Sequence, residues 1–95
     1  QVSRESMDAQ FLLLRLSKEV TPKGDVVSVT GGNTIARSNG LHIYYDGASK
    51  SVLIGGVVIH NNVTSFTSAL TDKLLTIQLS VGQGPSISTA VYTRN

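Results

Sequence analysis

Residues 33–60 read Asn33-Thr34-Ile35-Ala36-Arg37-Ser38-Asn39-Gly40-Leu41-His42-Ile43-Tyr44-Tyr45-Asp46-Gly47-Ala48-Ser49-Lys50-Ser51-Val52-Leu53-Ile54-Gly55-Gly56-Val57-Val58-Ile59-His60. Asn39-Gly40 stands between runs of β-forming residues, the setting of a two-residue type I′ hairpin turn. That turn would set Ser38 opposite Leu41, Arg37 opposite His42, Ala36 opposite Ile43, Ile35 opposite Tyr44 and Thr34 opposite Tyr45. Asp46-Gly47-Ala48-Ser49 then offers side-chain caps and left-handed tolerance for a second loop, returning into residues 50–54. The expectation is a three-stranded antiparallel meander.

Alternation across such a meander collects Ala36, Leu41, Ile43, Tyr45, Val52 and Ile54 on one face and Ile35, Arg37, His42, Tyr44, Ser51 and Leu53 on the other. The first set is the expected core face. On the second, Arg37, His42 and Tyr44 form a candidate binding patch that a partner could reach. Gly55-Gly56 interrupts the next run, where a bend carrying the strand to a second sheet is expected.

Outward from this stretch the pattern stays short and punctuated. Residues 1–10 are polar and read as an arm or as the first turns of a helix, since Met7, Phe11 and Leu14 recur at helical spacing. Residues 11–20 favour a strand, with Leu12, Leu14, Leu16 and Val20 on one face. Thr21-Pro22-Lys23-Gly24-Asp25 is a loop by its proline and glycine, and residues 25–30 a β-branched strand. Between residues 63 and 75 a short helix stacking Phe66, Leu70 and Leu74 competes with an exposed edge strand. Residues 75–81 alternate cleanly, and residues 86–93 make a last strand. The fold class expected is all-β: a small antiparallel sandwich or barrel of six to eight short strands, with one short helix optional near 66–74. The division expected is an arm over 1–10 and a single β-rich domain over 11–95.

Composition narrows the function classes. The 95 residues suit one domain, and 40% apolar with 15% charged residues is far from a disordered profile. The net charge of +2 comes from basic residues dispersed along the chain rather than clustered, so nucleic acid is not an expected partner. The longest apolar run holds two glycines and falls short of a membrane span. There are no cysteines, hence no disulfide framework and no thiolate metal site. Because the chain begins at Gln1, it is expected to be a piece of a longer precursor.

Candidate chemistry is sparse. His42 and His60 lack the spacing of a zinc signature, and no acid lies near either along the chain. Asp46 and Asp72 stand at turns, where carboxylates cap backbone amides. The paired glycines match no phosphate-cradling motif, so no cofactor or metal is expected. Asn62-Val63-Thr64 is a glycosylation sequon, marking Asn62.

The function expected is that of a non-catalytic β-sandwich module of a larger surface, secreted or virion protein, acting in attachment or assembly. A protein partner, a second copy, or a carbohydrate would be bound. Two rivals are a small hydrolase or lyase using His42 or His60, and a subdomain completed by a partner chain. The last draws on Phe11-Leu12-Leu13-Leu14 and Val57-Val58-Ile59, which place apolar side chains on both faces of a strand, so that something must cover the second face.

Overall fold

From Arg4 to Glu19 the chain has no glycine, no proline and no β-branched residue, and strong helix formers fill most of the span. The computed structural model of the chain describes residues 4–20, 26–38 and 40–92, and there this span forms one helix, α1 (Arg4–Val20). The strand expected over residues 11–20 is therefore replaced by helix. Phe11-Leu12-Leu13-Leu14 satisfies the strand and helix periods alike, and the longer recurrence of Ala9, Leu12, Leu13, Leu16 and Val20, which the helix buries on one face, decides between them. Glu5 in the first turn and Lys18 in the last suit the helix dipole. The loop expected over residues 21–25 lies outside the described residues.

Among the described residues eight strands follow: β1 (Val26–Thr30), β2 (Thr34–Arg37), β3 (Ile43–Asp46), β4 (Ser51–Ile54), β5 (Val57–His60), β6 (Val63–Thr71), β7 (Leu74–Val81) and β8 (Ile87–Tyr92). The first five form one antiparallel meander and the last three another. The all-β expectation holds, with its one helix at the N-terminal side rather than near 66–74. An irregularity between Val63 and Ser65 puts Val63 and Phe66 on the same inner face of β6. That spacing, together with Phe66 and Leu70, imitates helical recurrence in what is a bulged strand.

The β2–β3 register differs from expectation by one residue. Thr34 pairs with Tyr44 and Ile35 with Ile43, because the turn closes earlier: Gly40 N donates to Arg37 O at 3.1 Å. Asn39 itself lies outside the described residues. The one-residue slip moves β2 to the opposite face relative to β3. Ile35 and Arg37 now point inward with Ile43, Tyr45, Val52 and Ile54, and Ala36 does not.

Gly55 and Gly56 do not bend the chain into another sheet. Both adopt positive φ, 59° and 84°, closing a two-residue hairpin in which Ile54 pairs with Val57. The change of sheet comes at Asn61 and Asn62 instead. Asp46 caps its loop as expected, accepting from Ala48 N and Ser49 Oγ, each at 3.0 Å.

Both sheets and α1 share one core. Leu12, Leu13 and Leu16 belong to one buried cluster with Ile35, Ile43 and Val52 of the first sheet and Phe66, Leu75, Ile77 and Leu79 of the second, and α1 packs chiefly on β7 and β8. Tyr45 joins the sheets, stacking on Phe66 at 5.4 Å and donating its hydroxyl to Val63 O at 2.6 Å. Of the two stretches with apolar side chains on both faces, residues 11–14 bury Leu12 and Leu13 as part of α1 and leave Phe11 and Leu14 exposed, while Val57 and Val58 stay exposed.

The first turn of α1 is held by the β7–β8 connection, where Gln83 N donates to Glu5 Oε2 at 3.2 Å. Gly82 has φ 57°, and a Cβ there would run into the Glu5 carboxylate and stand 3.0 Å from Asn62 Nδ2. Gly82→Ala is expected to cost about 1–2 kcal/mol through backbone strain and the lost tether. Chemical denaturation measures it, and an unchanged midpoint would contradict both the strain at position 82 and the tether to Glu5.

Candidate functional site

The three patch residues read from the sequence do not form one surface. Arg37, turned inward with Ile35, is only 2% exposed. Its Nε donates to Leu41 O at 2.6 Å and its Nη1 to Glu19 O at 2.8 Å, while Nη2 stands 4.0 Å from Glu19 Oε1. Burial pulls the guanidinium pKa below its ordinary value and the Glu19 carboxylate opposes that pull, but a guanidinium remains charged throughout. The cation therefore sits at the negative end of α1 and clamps the helix to the β2–β3 connection. Its chemistry is spent internally.

His42 is exposed, and its Nδ1 accepts from Arg37 N at 3.1 Å, so the neutral ring carries its proton on Nε2. Tyr44 is exposed on the outer face of β3, between Thr34 and Leu53. His42 and Tyr44 thus remain accessible, on the side of the meander that Arg37 faces away from. Asn62 is exposed in the link between the sheets. The sequon's Thr64 hydroxyl donates to Gly82 O at 2.9 Å.

The more prominent surface lies on α1, whose inner face is fixed by Ala9, Leu12, Leu13, Leu16 and Val20. The same turns leave Met7, Phe11 and Leu14 on the outside, 46%, 65% and 51% exposed. A shallow depression runs along each flank of this stripe. One, of about 190 Å³, lies toward β5 and is lined by Asp8, Phe11, Leu12, Arg15, Ile59 and His60. The other, of about 370 Å³, lies toward β8 and is lined by Gln10, Leu13, Leu14, Ser17, Ile87, Ser88 and Thr89. At the edge of the first sheet, Val57 and Val58 of β5 are also exposed.

Sequence reasoning left His60 without an acid nearby, yet the fold sets Asp8 in the same depression. No sequence signal joins positions so far apart. The helical spacing of Met7, Phe11 and Leu14, by contrast, was a direct signal for the stripe. On the far side of the second sheet, cross-strand pairing lines up Thr67, Thr76, Gln78 and Ser88, a face of hydroxyls and an amide. Tyr92, on this same face, is 74% exposed.

Among the described residues, no group of three or more His, Cys, Asp or Glu side chains is placed to hold a metal ion, and no helix is long and apolar enough to cross a membrane. Compared with protein-family models, curated proteins and solved structures, the chain gives no match.

Proposed function

We propose that this chain is a non-catalytic β module of a larger surface, secreted or virion protein, and that it acts in attachment or assembly. The observation that carries this reading is the amount of apolar surface left outside: the α1 stripe of Met7, Phe11 and Leu14, and the Val57 and Val58 pair on an edge strand. Exposed apolar residues in contiguous sets mark interaction sites, and an unprotected edge strand invites pairing. Side-chain footprinting at rising protein concentration tests it. Labelling of at least one of these two sites is expected to fall as the chain associates; full labelling of both at every concentration would overturn the reading. A carbohydrate ligand is the second reading, favoured by the hydroxyl and amide face of the second sheet with Tyr92 on it, since sugars are held by hydrogen bonds and by aromatic faces. Glycan-array binding lost on Gln78→Ala would support it.

A further inference from the structure

We infer that the outer face of α1 binds the same face of a second copy of this chain, with the two helices antiparallel. The inference rests on the assembly reading above and names its partner and its geometry.

The stripe alone does not choose an orientation, but its flanks do. Asp8 and Arg15 lie on the flank toward β5, whereas Gln10 and Ser17 lie on the flank toward β8. When two identical helices pair antiparallel about a two-fold axis, like flanks meet. Asp8 then faces Arg15 of the second copy, and by symmetry the pair occurs twice. In a parallel pair unlike flanks meet, setting the charges of Asp8 and Arg15 against the uncharged Gln10 and Ser17. Only the antiparallel arrangement pairs Asp8 with Arg15.

The register follows from the apolar residues. Placing Phe11 on the two-fold axis brings Met7 of each helix beside Leu14 of the other and Asp8 beside Arg15. Arg4 and Lys18 meet at the outer ends, both exposed, where solvent and salt screen their repulsion. The three apolar side chains leave on the order of 300 Å² of surface per copy, comparable to the largest patch on an ordinary monomer. With the charged flanks added, the contact falls at the small end of specific interfaces. A reversible dimer is the expected form.

Light scattering and sedimentation of the chain at physiological ionic strength test this. The mass is expected to rise with concentration from 10.1 kDa to twice that value and to stop there. Phe11→Glu is expected to remain monomeric with an unchanged circular dichroism spectrum, since Phe11 lies outside the core. Asp8→Arg and Arg15→Asp are each expected to weaken association by about tenfold or more. An equimolar mixture of these two variants restores it, because each then supplies the charges the other lacks. A mixture that associates no better than its components would overturn the inference, and so would a mass that climbs past the dimer. If association survives Phe11→Glu but is lost in Val57→Lys, the α1 contact is refuted and the assembly reading stands on β5. If neither site loses labelling at any concentration, both fail together.

Discussion

Replacing Arg37 with alanine is expected to destabilise the chain by about 3 kcal/mol or more, the range for breaking one side of a buried charged cluster. Two carbonyls, Leu41 O and Glu19 O, would lose a charged donor, each such bond contributing about 1.5–3 kcal/mol. The Glu19 carboxylate keeps some contact with water, its side chain 18% exposed, so the ionic part is the smaller share. The loss is large against the roughly 5–15 kcal/mol that holds an ordinary domain folded. Arg37→Lys is expected to recover only part of it, because one ammonium cannot reproduce the planar fork that reaches both carbonyls. Urea denaturation of the three proteins checks the order alanine, lysine, arginine. A lysine variant as stable as the parent would show that charge alone suffices at the end of α1.

Most of the strands were legible in the sequence, but their division into two sheets was not, because Gly55-Gly56 reads as a bend and instead closes the β4–β5 hairpin. The Asp46 loop, the alternation over residues 75–81 and the final strand needed no knowledge of distant contacts. The β2–β3 register was not legible, for a definite reason. Asn39-Gly40 suits a two-residue turn, but burying Ile35 against Ile43 and sending Arg37 to the end of α1 requires a turn that closes at Gly40 N. Tertiary contacts outweighed the local turn preference. The same slip removed Arg37 from the surface, so the candidate patch lost its charge through an error of a single residue. Phe66 illustrates the opposite failure: a bulged strand reproduced helical spacing, and only pairing with Leu79 reveals it as β. The α1 stripe was readable from Met7, Phe11 and Leu14, whereas the meeting of Asp8 with His60 depends on how helix and sheet pack.

Leu14 and Leu16 separate the helix from the strand most sharply. On a strand they share a face and respond alike to truncation, but on α1 Leu16 is fully buried and Leu14 is half exposed. Leu16→Ala is expected to cost about 2–5 kcal/mol, the lost transfer energy plus the cavity left among the strands. Leu14→Ala is expected to change stability by about 0.5 kcal/mol or less, as at other surface positions. Lysine sharpens the contrast. Leu13, only 7% exposed, faces the core, so Leu13→Lys buries a charge with no partner provided for it and is expected to prevent stable folding. Leu14→Lys is expected to fold normally and to lose only the association that the outer stripe supports. Thermal denaturation followed by circular dichroism gives the stabilities, and sedimentation gives the association state. Equal losses of stability at positions 14 and 16 would contradict the helical face on which the proposed dimer is built.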